Sequence, residues 1–134
     1  ASKKLQSFSS QSYKLVYGTA THLPFRVSSF DVLLASGLTD YLSKKDNKKF
    51  LTEANRVLKK KGGVVITFPR RSSPFAFLRS GFGLWLRDKL LFLPPIRSSF
   101  EKEEIEKMMH DAGFIITNWH TVLSTMWIVE GIKQ

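Results

Sequence analysis

Asp40-Tyr41 sets a carboxylate beside a phenol just past an apolar run ending at Ala35-Ser36-Gly37. A carboxylate there can orient or deprotonate a hydroxyl or an amine. A helix-start cap is an equally simple use for Asp40. In open α/β sheets ligands bind at the C-terminal ends of strands, which makes Ala35, Ser36 and Gly37 candidates for ligand contact. A second chemical region is Arg70 to Arg97. It crowds Phe75, Phe77, Phe82, Trp85 and Phe92 among leucines, with six cations against one acid, Asp88, for a net +5. An apolar, basic segment of this kind suits a lipophilic ligand or an anionic surface. The histidines His22, His110 and His120 have no metal-ligand spacing, so no metal site is expected. There is no cysteine, which excludes a thiolate nucleophile, a zinc–thiolate site and a disulfide framework.

Composition bounds the rest. The 134 residues are 43% hydrophobic and 24% charged, near globular averages, and suit one domain. A formal charge of +10 favours anionic partners. No apolar run approaches the roughly 20 residues of a membrane-spanning helix.

Several elements must position the candidate groups. Lys14-Leu15-Val16-Tyr17 is a short β-like run closed by Gly18. Phe30 to Ala35 is nearly all apolar, the pattern of a strand buried on both faces. Over 46–58, Phe50, Leu51, Ala54, Val57 and Leu58 form one helical stripe, with Ser43 or Asp46 as N-cap. Lys59, Lys60 and Lys61 suit the negative helix end, and Gly62-Gly63 is expected to stop the helix. Val64 to Phe68 is a second buried strand. A helix over 100–112 buries Ile105, Met108, Met109 and Ala112, and strands over 114–119 and 125–132 follow. This order argues for an α/β sandwich with a largely parallel sheet.

Three stretches together resemble the C-terminal part of a class I S-adenosylmethionine-dependent methyltransferase (methyltransferase type 11-like). Gly18-Thr19-Ala20-Thr21-His22-Leu23-Pro24-Phe25, followed by Ser29-Phe30-Asp31-Val32, is similar to the family's third-strand loop and fourth strand. Glu53 to Gly63, with Arg56-Val57-Leu58-Lys59 at its centre, is close to the helix end before the fifth strand. Phe100 to Phe114, ending in Ala112-Gly113-Phe114, matches the late helix that leads to the last two strands.

The resemblance implies an incomplete Rossmann-like class I methyltransferase sheet, mostly parallel with an antiparallel last strand. The glycine-rich first motif and the acidic ribose-binding residue are absent from the sequence. The expectation is therefore a fragment or half of a split domain, with a missing N-terminal half-domain as partner. Without that half, the strand over 30–35 becomes an apolar edge. The implied cofactor is S-adenosylmethionine, contacted by Thr19, Ala20, Leu23, Ala35, Ser36 and Gly37, with Thr19 in place of the family's adenine-facing Asp. Asp40 and Tyr41 become the catalytic candidates. Residues 70–98 become an acceptor-side cover, with Arg70, Phe82, Trp85 and His120 as substrate-binding candidates.

The implied reaction is methyl transfer to a small, lipophilic acceptor in the cytoplasm, with peripheral membrane contact as an accompanying expectation. Two alternatives stand beside it. One is an RNA or protein methyltransferase, suggested by the charge. The other is a non-catalytic basic module for nucleic acid or membrane, although the aromatics cluster in apolar company and no nucleic-acid-binding signature occurs. Trp85→Ala in the full-length enzyme should weaken acceptor binding far more than cofactor binding. Separate titrations with acceptor and with S-adenosylhomocysteine check this, and equal losses in both would refute it.

Overall fold

A computed structural model describes residues 13–71 and 97–134. The elements are β1 (Phe30–Ala35), α1 (Lys44–Val57), β2 (Leu58–Pro69), α2 (Lys102–Asp111), β3 (Phe114–Val122) and β4 (Met126–Lys133). The strands form one sheet in the order β1-β2-β4-β3. β1 and β2 are parallel, and β4 runs antiparallel to both its neighbours. Three strands therefore share one direction and the last is reversed.

Period-two alternation decides which face is covered. Val64, Ile66 and Phe68 of β2 are fully buried, together with Phe50, Leu51 and Ala54 of α1 and Ile105 and Met109 of α2. Both helices pack on that face. Val32, Leu34, Ile115 and Ile132 alternate to the opposite face and are exposed, Leu34 by 71%. The reading of β1 as buried on both faces is thus corrected. Its bounds are as expected, and among the described residues it is the exposed apolar edge that the fragment expectation implied.

Two further expectations change. Lys14–Tyr17 joins no strand, and Tyr17 is fully exposed. A β-prone run becomes a strand only where a neighbour takes up its backbone hydrogen bonds. The glycine pair does not stop the helix either. α1 ends at Val57, and β2 begins at Leu58. The lysines and glycines instead form an irregularity in β2, where the register moves from Phe30↔Leu58 to Val32↔Gly63. Gly62 is needed for close approach, since a Cβ there would meet the Lys59 carbonyl oxygen at 2.8 Å. The helix carbonyls are capped from the far end of the chain. Lys133 Nζ donates to Asn55 O at 2.7 Å and to Leu58 O at 2.8 Å.

The start of α1 is capped by Ser43, whose Oγ accepts from Asp46 N. Glu104 joins the N-termini of both helices. Its carboxylate accepts from Lys44 Nζ at 2.5 Å, Arg71 Nη2 at 2.6 Å and Glu101 N at 3.0 Å. The Lys44 bond, then the Glu101 amide, hold its pKa down at about 2.

Near the other end of α1, Glu53 and Arg56 clamp the loop that precedes β1. Arg56 Nε donates to Glu53 Oε1 at 2.8 Å, while Nη1 donates to Phe25 O and Nη2 to Leu23 O. Leu23 N donates to Glu53 Oε2 at 2.8 Å. The Glu53 side chain is only 14% exposed. Its bond from Arg56 leads the causes that lower its pKa from 4.5 to about 2, against a desolvation penalty. A carboxyl whose folded pKa lies below its unfolded value contributes stability in full above the unfolded value, and loses it as pH falls towards the folded one. Glu53→Gln should therefore cost about 1.5–3 kcal/mol near neutral pH. That cost should shrink as pH falls from 4.5 to 2. Urea unfolding of both proteins across this range checks it, and a pH-independent cost would show that the charge is not what matters.

Candidate active site

The clamped loop and the end of β1 enclose a groove of about 470 Å³. Of the six cofactor candidates, Ala20, Leu23, Ala35 and Ser36 line it together, with Leu33, Leu38 and Phe50 behind them. Thr19 and Gly37 are not among its lining residues. The Thr19 hydroxyl is 3.2 Å from that of Thr21, and its carbonyl accepts from His22 N. Gly37 has φ 65°, the left-handed conformation that lets the chain turn sharply off the strand. Its N–H donates to Thr67 Oγ1 at 3.0 Å.

The turn after β1 is held from three sides. Thr39 Oγ1 donates to Thr67 O at 2.7 Å. The fully buried Asn47 of α1 donates through Nδ2 to the carbonyls of Thr39, Leu42 and Ser43. Ser98 Oγ donates to Leu42 O, and the Arg97 and Ser98 amides donate to Asp40 O. Asp40 is therefore not the cap of α1. Its backbone is fixed, and its Oδ1 is buried without a hydrogen-bond partner. Tyr41 is 37% exposed beside it.

The same edge of the sheet continues across β2 and β4. The Arg70 amide donates to Thr125 O, and its guanidinium lies over the Trp127 ring, 4.7 Å from the centroid. Trp127 meets Trp119 edge-on at 5.7 Å, and Lys102 Nζ sits 5.1 Å from the Trp119 ring. His120 is on β3, the far edge strand, where Nε2 lies 3.4 Å from Glu130 Oε1. It is not brought to the groove beside β1. Phe82, Trp85 and most of the expected cover at 70–98 fall outside the described residues.

Thr67, Asn47, Ser98 and the Glu53–Arg56 pair were not legible as site-builders. Thr67 is a hydroxyl in an otherwise apolar strand, and Asn47 is an amide in a lysine-rich turn. Those mismatches with their surroundings were the available signal.

The groove's apolar walls and their mainly backbone polar atoms fit an adenine ring. Among the described residues no acid lines the groove, so they supply no carboxylate for ribose hydroxyls. Among the described residues no group of three His, Cys, Asp or Glu is placed to hold a metal ion. No described helix is long and apolar enough to cross a membrane.

Comparison with known proteins agrees with this geometry. Residues 1–66 match a family described as "Methyltransferase domain". A demethylmenaquinone methyltransferase of Staphylococcus aureus is 32% identical over 135 residues, covering 84% of this chain and 52% of that protein. The chain thus spans about half the length of the curated relatives it matches. Among solved structures, a methyltransferase of Methanosarcina mazei superposes with a TM-score of 0.68 at 16% identity, over 87% of this chain and 65% of that one. The magnesium protoporphyrin IX methyltransferase of Synechocystis, with S-adenosylhomocysteine bound, superposes with a TM-score of 0.71 at 13% identity, over 99% and 57%. By sequence and by fold, the chain is similar to the class I S-adenosylmethionine-dependent methyltransferase domains.

Proposed function

We propose that this chain contributes to an S-adenosylmethionine-dependent methyltransferase whose acceptor is a small lipophilic ring compound bearing oxygen, such as a demethylated quinone. The observation that carries the reading is the gathering of Ala20, Leu23, Ala35 and Ser36 into one apolar groove at the C-terminal end of β1. The demethylmenaquinone methyltransferase relative supports the acceptor class.

When bound, the cofactor supplies a methyl group activated on a sulfonium centre. This chain's residues have the remaining tasks. Ala20 and Leu23 would hold the adenine along the apolar wall of the groove, and Ser36 and Gly37 would offer their backbone to the cofactor's amino-acid end. Methyl transfer is an in-line displacement, so alignment supplies most of the acceleration. Asp40 Oδ1, buried and unpartnered, accepts the acceptor's hydroxyl proton as oxygen or ring carbon attacks. The open apolar edge of β1 takes a further parallel strand that carries the glycine-rich turn and the ribose-binding acid.

Two measurements test this. Calorimetry with S-adenosylhomocysteine should give micromolar binding by the full-length protein and a dissociation constant no better than about 1 mM for the 134-residue chain alone. Tight binding by the short chain would overturn the need for a further strand. In the full-length protein, Asp40→Asn should lower kcat about 100-fold or more while leaving S-adenosylhomocysteine affinity unchanged. An unaltered kcat removes Asp40 from the reaction.

A further inference from the structure

We propose that Trp127 is a specificity residue whose indole N–H donates to an oxygen of the methyl acceptor. The inference rests on the acceptor reading above and deepens it.

The indole nitrogen of Trp127 is buried and meets no hydrogen-bond partner. Such a donor is ordinarily costly to leave unmatched, and Trp is used in interiors mainly where its N–H finds an acceptor. The ring has little freedom to turn towards one. The Arg70 guanidinium lies over it, and Trp119 closes against it at 80°. Trp127 also stands opposite Phe68 in the sheet, and Met126 stands opposite Pro69. That register places the indole at the C-terminal end of β2. This is the sheet edge that carries Ala35 and Asp40, about two strand spacings, or roughly 10 Å, from β1.

Asp40 Oδ1 is the complementary case, a buried acceptor without a donor. The segment 97–100 joins the two positions. Its Arg97 and Ser98 amides bind Asp40 O, and its Phe100 amide binds Pro69 O. One unmatched donor and one unmatched acceptor on the same edge suit a flat apolar ring bearing oxygens. A hydroxyl meets Asp40 and a carbonyl or phenolate oxygen meets Trp127. The cation over the ring also polarises the N–H. A hydrocarbon of the same shape would leave both protein groups unmatched, which is how such sites discriminate.

The test uses the full-length protein labelled with ¹⁵N at the tryptophan indoles and titrated with menadione or with 2-methylnaphthalene, the same ring system without carbonyls. The Trp127 indole signal, assigned through Trp127→Phe, should move downfield with menadione and not with the hydrocarbon. Trp127→Phe keeps the ring and removes the donor. It should raise the acceptor KM about tenfold and leave kcat and the S-adenosylmethionine KM within about twofold. A purely structural role would move all three constants together. Equal shifts with both compounds, or menadione shifts at other indoles with Trp127 unmoved, would overturn the assignment. Failure of the acceptor reading itself looks different, because no indole signal then responds to either compound, and the Trp127 assignment falls with it.

Discussion

The Glu53–Arg56 pair is the interaction on which the groove depends. A planar guanidinium can serve a carboxylate and two carbonyls at once, which an ammonium cannot do with the same geometry. Here it bonds Glu53 and the carbonyls of Leu23 and Phe25, while Glu53 accepts the Leu23 amide. The loop ahead of β1 has little regular structure of its own, only an isolated Thr19↔His22 bridge. Its shape is imposed from α1. Because Glu53 is largely buried, removing Arg56 alone would strand a desolvated carboxylate, a worse outcome than losing an exposed ion pair. The family-like Glu-x-x-Arg pattern is thus a device for holding one wall of the groove.

On the other side of the groove, neutral groups do the equivalent task. Thr67 accepts the Gly37 amide through its hydroxyl and the Thr39 hydroxyl through its carbonyl. Asn47 serves three carbonyls of the turn. Each bond is worth little in net stability, about 1 kcal/mol. Their effect is positional, because the backbone at Asp40 is fixed while its carboxylate oxygen is left unmatched. Rigid support beneath an unsatisfied group is what a preorganised site requires.

Much of the framework was legible from periodicity. Phe30–Ala35, both helices and the last two strands lie where the apolar patterns put them, because those segments bury one face against a shared core. The failures share one cause, which is that long-range partners overrule local signals. Lys14–Tyr17 has β-prone residues but no neighbour. Lys59, Lys60 and Lys61 look like a helix end, yet Lys133, far along the chain, caps that end and the lysines leave with the strand. At the site, Ala20, Leu23, Ala35 and Ser36 could be grouped through family resemblance. Thr67 and Asn47 could not, since their value lies in carbonyls that only the folded turn presents. Trp127 read simply as a strand residue, because an unmatched indole nitrogen is a property of packing.

The strand order has a consequence for how the molecule is made. β4, the last strand in the chain, sits between β2 and β3. Until it emerges from the ribosome, β2 lacks its second neighbour, β3 has no place in the sheet, and the Lys133 amine cannot reach the end of α1. Vectorial synthesis therefore leaves one side of β2 unpaired, and completion of the sheet waits for residues 126–133. Loss of even the final strand would remove the middle of the sheet, not its margin.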